Sequence, residues 1–339
     1  MLKRSFYSII FFLLLFVGHL FLLPDLGYSE KKFLIKFATI APEGSTWIKH
    51  IKGLDKTLRQ KSDGQLGLRL YPGGIAGDEL DVLRKIRIGQ IHCAGFSGVG
   101  IAQILPMVRI LDLPFLFRND QEGDHVQNEL QDFFIEHFRK KGFEFLSWAE
   151  VGNVHLFSKK PIRRVADISR LKIWTWSGDP ISKKTFSIMG THPIPLSITD
   201  VTTALNTGMI DTVYGPPLGV LALQWYAYVK YMTALPLAHA TGTVLLSSRF
   251  YKKIPPNLSK MLKDEFERAM VDLTSELRTQ AEESVNLIQK SGVEIIPIPA
   301  EPDLKNFYSV GDQVAQRLAG SVYPKDLLDR VYEILKRSR

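Results

Sequence analysis

Hydrophobic and polar positions at the start of the folded chain follow a strand, helix, strand pattern. Residues 33–40 are an apolar run typical of a strand, and residues 45–59 repeat apolar positions at helical spacing with Ser45 at the N-cap position. Residues 66–71 then place three leucines on one face, which predicts a second strand. The mature chain is therefore expected to open with a β-α-β unit.

A helix followed by a glycine and an apolar strand recurs three times along the chain. The glycines are Gly142, Gly190 and Gly292. The helical patterns before them span residues 134–141, 181–189 and 258–291, and the strand patterns after them span residues 143–148, 193–196 and 293–297. Because glycine accepts the left-handed conformation that ends a helix, each one marks a connection from helix to strand. The chain is therefore predicted to be α/β throughout.

One amphipathic helix is predicted to be much longer than usual. Residues 258–290 keep an apolar stripe at helical spacing, whereas most helices have about three to four turns. A helix of this length can bridge two lobes. The 339 residues, about half of them apolar, also favour two lobes over one.

Two indole side chains lie at the end of a predicted buried strand. The stretch Leu171–Pro180 carries Trp174 and Trp176 and then turns at Asp179. Ligands of open α/β proteins bind beside such strand ends. Trp47 follows the loop after the first strand and is expected near the same kind of strand end, with helix-to-sheet packing as an equal alternative.

The first 29 residues have the pattern of a secretory signal peptide. Lys3 and Arg4 precede the apolar run Ile9–Leu23, and small residues near position 29 form a cleavage site. We expect a periplasmic mature chain that begins near Glu30, with an uncleaved membrane anchor as the alternative. Cys93 is the one cysteine, so the exported chain has no internal disulfide and depends on its core.

Charge and motif spacing exclude several classes of function. The net charge of +8 is interleaved with acidic residues, so we expect no nucleic-acid binding. Asp78 and Glu79 put negative charge where a loop-bound phosphate would sit. The segment 95–100 lacks the last glycine of both a nucleophile elbow and a dinucleotide fingerprint, and no two histidines have metal-ligand spacing. We therefore expect no enzyme activity, cofactor or metal.

Short motifs in a consistent order resemble the DctP-like solute-binding proteins of tripartite ATP-independent periplasmic (TRAP) transporters. They extend over nearly all of the mature chain, and their order and spacing are more specific than any single motif. The motifs are Leu68–Gly74, Gly77–Leu80, Leu113–Phe117, Glu150–Asn153, Lys160–Ile162, Leu171–Ile173, Pro193–Leu196, Ala204–Gly208, Ile210–Asp211 and Lys230–Thr233.

The resemblance implies two α/β lobes that are joined by crossing segments and a long helix and close around an organic acid. One lobe would hold residues 33–153 and 241–285, and the other would hold residues 154–240 and 286–339. The receptor would deliver its solute to the membrane permease subunits of the transporter. We expect it to act as a monomer.

Three positions depart from the family pattern. Relatives usually have an arginine that binds the solute carboxylate directly after the Leu-Lys-Ile strand, where this chain has Trp174. A second family arginine corresponds to Val154, and a family asparagine corresponds to Gly215. We therefore expect a variant site whose ligand has a substantial apolar or aromatic body, such as a monocarboxylate held by backbone N–H groups.

The candidate ligand-binding residues combine the indoles, the expected strand ends and the departures from the family pattern. Core packing is the alternative for the aromatic side chains, and for Trp176 and Trp225 the two interpretations are equally favoured. The candidates are Trp47, Phe96, Trp174, Trp176, Tyr214, Gly215, Pro216 and Trp225.

A transport receptor is the favoured function, and two alternatives share parts of the pattern. A periplasmic sensor subunit would use the same fold and cavity to bind a ligand for a signalling partner. A secreted hydrolase would depend on Ser97 as its nucleophile.

Overall fold

An eight-stranded mixed sheet is the largest element of the fold. The computed structural model describes residues 32–339, and the predicted signal peptide, residues 1–29, lies outside them. The strands in the described part are β1 (Phe33–Ala38), β2 (Leu66–Tyr71), β3 (Cys93–Ser97), β4 (Phe143–Ser158), β5 (Trp174–Trp176), β6 (Ile194–Leu196), β7 (Thr212–Gly215), β8 (Tyr231–Thr233), β9 (Ala238–Ser247) and β10 (Glu294–Ile296).

Helices cover the sheet and connect its strands. In the same part of the chain they are α1 (Thr46–Lys61), α2 (Glu79–Arg87), α3 (Gly98–Ala102), α4 (Asp120–Lys140), α5 (Pro180–Ile188), α6 (Val201–Thr207), α7 (Pro217–Ala222), α8 (Ser248–Tyr251), α9 (Pro256–Lys290), α10 (Asp303–Leu318) and α11 (Lys325–Ser338). Shorter 3₁₀ helices span Pro106–Asp112, Val165–Arg170, Ile198–Asp200 and Trp225–Tyr228.

The sheet joins two groups of strands through its two longest members. The strand order is β10-β8-β4-β9-β3-β1-β2, and β7 also pairs with β4. β1 runs parallel to β2 and β3, whereas β9 runs antiparallel to both β3 and β4. β4 and β9 therefore pass between the two groups. β5 and β6 form a separate two-stranded parallel sheet, which contacts β7 through an isolated bridge between Ile173 and Thr212.

Most predicted elements are confirmed at or near the expected residues. The first strand, helix and second strand form as β1, α1 and β2, and the Ser45 side chain caps α1 by accepting a hydrogen bond from the backbone N–H of Ile48. Gly142, Gly190 and Gly292 adopt φ of +84°, +88° and +94°, as the predicted helix ends require. The predicted α/β class is therefore confirmed.

Three elements differ in length from the sequence prediction. The indole strand is confined to Trp174–Trp176, because Asp179 already caps α5 and Pro180 begins it. α4 begins at Asp120 rather than near residue 134, since Asn119 supplies an earlier cap. β4 continues past residue 148 to Ser158, and its register shifts mark irregularities that let it follow both groups of strands.

The long helix α9 has the predicted extent. It spans 35 residues and buries one stripe that includes Leu262, Phe266 and Met270. That stripe packs on β4 and α1. None of the described helices is both long enough and apolar enough to cross a membrane.

Residues 33–339 form one compact unit. The C-terminal helix α11 packs on α4, where the Arg339 guanidinium binds the Glu122 carboxylate at 2.9 Å. α10 packs instead on α5. The lobe boundaries given above stay a prediction.

Candidate functional site

A cavity of about 270 Å³ lies where the ends of several strands meet β4 and β9. The residues that directly follow β1, β3 and β7 line it, together with β5 and the start of α5. Val151 and Val154 of β4, Ala238 and Ala240 of β9, and Leu277 of α9 complete the wall. Strand ends converge on ligands in this way in open α/β proteins.

Aromatic rings form one side of the cavity. Trp174 stacks on Tyr214 with 5.0 Å between ring centroids and meets the edge of Trp225 at 5.5 Å. Trp174 is only 1% exposed, and its indole N–H donates to the carbonyl oxygen of Leu196 at 3.1 Å. Trp174 therefore holds the aromatic side together, whereas Tyr214 keeps partly exposed surface against the cavity.

Two further indoles connect this wall to neighbouring elements through their N–H groups. Trp176 donates to the Asp78 carboxylate at 2.9 Å, and the same oxygen accepts a hydrogen bond from Ser197 at 2.8 Å. Trp47 donates to the carbonyl oxygen of Glu150 at 3.2 Å and stays partly exposed. The polar atom of each indole is thus satisfied, and the rings offer the cavity apolar surface.

A buried cation beside the cavity is bound by two carboxylates. Arg109 Nη1 lies 2.6 Å from Asp112 Oδ2, and Arg109 Nη2 lies 2.7 Å from Asp179 Oδ1. All three side chains are at most 7% exposed. Asp112 also accepts a hydrogen bond from the backbone N–H of Thr241 at 2.6 Å. Burial raises the pKa of Asp112, although the Arg109 charge opposes that rise.

Glu79 places a further carboxyl group at the cavity. It accepts hydrogen bonds from the backbone N–H of Ser97 at 2.6 Å, the Ser97 hydroxyl at 2.9 Å and the backbone N–H of Gly100 at 2.7 Å. Burial nevertheless raises the pKa of Glu79 to about 8. The Ser97 hydroxyl is therefore occupied by a buried acid.

The rest of the lining is predominantly apolar. Among the described residues that line the cavity, the charged side chains are Glu79, Arg109, Asp112 and Asp179. Ile40, Leu218 and Leu223 and similar side chains supply most of the surface around them. Within residues 32–339, no cluster of three or more His, Cys, Asp or Glu side chains is placed to hold a metal ion.

The sequence match to a known family decides the class of this protein. Residues 37–321 match the family described as bacterial extracellular solute-binding protein, family 7. The chain belongs to this family. It is a solute-binding receptor and not an enzyme, so the hydrolase alternative is wrong.

Curated relatives of this receptor are periplasmic binding proteins of similar length. The 2,3-diketo-L-gulonate-binding periplasmic protein of Escherichia coli is 26% identical over 299 residues, which is 84% of this chain and 86% of the relative. The sialic acid-binding periplasmic protein of Vibrio cholerae is 22% identical over 283 residues, which is 80% of this chain and 84% of the relative.

Solved structures of TRAP periplasmic solute-binding proteins share the two-lobed fold of the receptor. The protein from Pseudomonas putida F1, with bound D-glucuronate, has a TM-score of 0.82 and 24% identity, and the match covers 88% of this chain and 97% of that one. The protein from Desulfovibrio salexigens, with bound orotic acid, has a TM-score of 0.84 and 18% identity, and the match covers 90% of this chain and 99% of that one.

The structure brings all of the candidate ligand-binding residues of the receptor to one cavity. Four of the five tryptophans line it, and Trp148 is the exception. Val154, Trp174 and Gly215, the three positions predicted to depart from the family pattern, line it as well. Contact with a ligand stays a prediction for each candidate. The residues brought together are Trp47, Phe96, Trp174, Trp176, Tyr214, Gly215, Pro216 and Trp225.

Sequence reasoning missed the charged residues of the site. Asp179 was predicted to lie in a turn, and its carboxylate caps α5 by accepting hydrogen bonds from the backbone N–H groups of Ile181 and Ser182. Asp179 also forms an ion pair with Arg109. The two residues are 70 positions apart, so no local sequence pattern predicts this contact. Gly98 gives one indirect sign, because a Cβ there would collide with Arg109 and Asp112.

Proposed function

We propose that this receptor binds a small solute with a substantial apolar or aromatic body in the cavity described above and delivers it to a TRAP permease. The exported chain would lose residues 1–29 by signal cleavage and work in the periplasm as a monomer. The observation that carries the proposal is the aromatic and aliphatic lining of one cavity at the strand ends, contributed in part by four of the chain's five tryptophans.

The size and surface of the cavity support a ring-sized solute. A volume of about 270 Å³ is slightly below the usual range of ligand pockets, which begins near about 300 Å³. Covering about 200 Å² of apolar ligand surface would contribute about 5 kcal/mol at about 25 cal/mol per Å². A micromolar complex needs about 8 kcal/mol, so one or two hydrogen bonds would supply the remainder.

The ligands of the related receptors suggest which compounds to test first, but they do not identify the solute of this receptor. D-glucuronate and orotic acid are bound in relatives of the same fold, and both are organic acids. The present cavity has Trp174 where the family pattern expects an arginine. The solute is accordingly either an organic acid with an apolar body or an uncharged apolar compound.

Retained solute and two indole substitutions would test the proposal. Protein isolated from its own periplasm should carry a small molecule that native mass spectrometry detects. Trp47→Ala and Trp174→Ala should each weaken binding of that molecule at least tenfold. Trp148→Ala is the matched control, because this indole packs on Phe134 and Phe145 away from the cavity. Unchanged affinity in both cavity variants would refute the proposed site.

Delivery to a permease needs a separate measurement. Solute uptake into vesicles that contain the cognate membrane subunits should depend on the receptor. Capture of a membrane-bound kinase instead, with no stimulation of uptake, would favour the sensor alternative.

A further inference from the structure

We infer that the solute of this receptor is uncharged at neutral pH and carries a hydrogen-bond acceptor, such as an amide, ester or ketone, on an apolar ring. The inference rests on the function proposed above and concerns the same cavity. It assigns a ligand class in which neither a carboxylate nor an ammonium group enters the site.

The positive charge at the cavity is already neutralised by the protein. Arg109 is the one cation among the described lining residues, and its two Nη atoms bind Asp112 and Asp179. One guanidinium therefore faces two carboxylates, which leaves this group of three with a net negative charge. A solute carboxylate entering here would be repelled unless it displaced one of the aspartates.

The carboxyl groups of the cavity also accept hydrogen bonds within the protein. Asp112 accepts from Arg109 and the backbone of Thr241, and Asp179 accepts from Arg109 and the start of α5. Glu79 accepts hydrogen bonds from Ser97 and Gly100. Asp112 and Asp179 are thus already paired with a protein cation, and burial raises the pKa of Glu79 to about 8, so this group is mostly neutral at neutral pH. The site therefore offers little to a solute cation.

Packing fixes the charged group in place. Gly98 leaves the space that the Arg109 and Asp112 side chains occupy, since a Cβ at that position would collide with both. Asp112 is held by β9 through Thr241, and Asp179 is held as the cap of α5. Meeting a solute carboxylate as a free cation would therefore require Arg109 to break both of these ion pairs.

One polar group of the cation remains without a partner. Arg109 Nε is buried and makes no hydrogen bond within the described protein, while Arg109 lines the cavity. Leaving a buried donor unpaired is unfavourable, so a solute whose acceptor oxygen reaches this atom would be favoured. A neutral carbonyl provides that acceptor without adding charge beside Asp112 and Asp179.

Matched pairs of ligands that differ only in charge test this inference. The probes are benzamide and benzoate, indole-3-acetamide and indole-3-acetate, and cyclohexanecarboxamide and cyclohexanecarboxylate, measured by calorimetry at neutral pH. The amide of at least one pair should bind at least tenfold more tightly than its carboxylate. Tighter binding of the carboxylate in every pair that binds would overturn the inference.

A single charge removal should change this preference in a stated direction. Asp179→Asn keeps an oxygen for Arg109 and a helix cap, but it removes one negative charge. Carboxylate affinity should rise at least tenfold in this variant, while amide affinity changes less than threefold. Asp167→Asn is the control, because that carboxylate also accepts backbone N–H groups but does not line the cavity. Equal effects of the two substitutions would contradict the assigned role of the charged group.

The outcomes separate this inference from the function on which it rests. If no pair binds, but the periplasmic protein retains a carboxylate-containing molecule in mass spectrometry, the receptor function stands and the ligand class is refuted. If no pair binds and no molecule is retained, both are refuted.

Discussion

Replacing Arg109 with methionine should destabilise the fold strongly. The substitution keeps an apolar stem of similar length but leaves Asp112 and Asp179 buried without their cation. The lost contacts are 2.6 and 2.7 Å long, between side chains that are at most 7% exposed. Removing one partner of a buried ion pair costs about 3–5 kcal/mol, and here one guanidinium serves two carboxylates. We therefore expect a loss of about 4 kcal/mol or more.

Arg268→Met provides a control with the same chemistry at the surface. Arg268 Nη1 lies 2.8 Å from Glu265 Oε1 at the same three-residue spacing, but the arginine side chain is 63% exposed. Water screens the exposed guanidinium, and the buried Glu265 carboxylate keeps Lys61 at 2.8 Å as a second partner, so the loss of Arg268 should cost less than about 1 kcal/mol. The assay is urea unfolding at neutral pH, followed by both tryptophan fluorescence and circular dichroism, because coincident transitions are needed to extract a free energy.

The pH dependence of the Arg109→Met defect gives a second check. The Arg109 charge holds down the pKa of Asp112, which burial raises. Without the guanidinium this pKa rises further, so the folded variant binds a proton that the unfolded chain does not. Its stability should then recover as the pH falls from about 7 to about 5. A loss no larger than that of Arg268→Met, or a defect that does not change with pH, would refute the reasoning.

Two further predictions concern buried titrating groups. Burial raises the pKa of Glu79 from about 4.5 to about 8, so between these values the folded state keeps a proton that the unfolded state loses. The free energy of unfolding should therefore fall by at most about 5 kcal/mol as the pH rises over that range. Glu79→Gln should reduce the slope of the urea midpoint against pH. An unchanged slope would contradict the raised pKa of Glu79. Burial lowers the pKa of His239, but Asp120 and Glu150, at 3.6 and 3.8 Å from its ring nitrogens, outweigh burial and raise it. The resulting stabilisation is complete below about pH 6.5 and is lost as the pH rises, so His239→Gln should cost more stability at about pH 5.5 than at about pH 8.5, and the reverse order would count against it.

Much of the fold could be predicted from local patterns. The β-α-β opening, the glycines that end three helices and the 35-residue helix α9 all depend on neighbours within a few turns of the chain. Hydrophobic periodicity and helix caps depend on residues close together in the chain, so the sequence alone was enough to predict these elements. The start of α4 was placed too late, because the Asn119 cap precedes a mostly polar first turn with little apolar periodicity.

The residues of the cavity were partly predictable for a different reason. Trp174 lies in β5, Tyr214 lies in β7 and Pro216 follows β7. Because strand ends converge in an α/β fold, the order of these residues in the chain already indicated a shared location. The resemblance to TRAP receptors drew attention to Trp174 in particular. The structure adds that Trp174 is 1% exposed, so its indole supports the aromatic wall rather than presenting a large free surface.

The sequence by itself determined the fold class, the family and the apolar character of the site. Only the tertiary structure decided its electrostatics. Arg109 and Asp112 share one 3₁₀ helix, but Asp179 is 70 positions from the arginine that it binds and meets it solely through folding. A charge interaction depends on distance and burial in space, and neither is encoded in the residues adjacent to it in the chain.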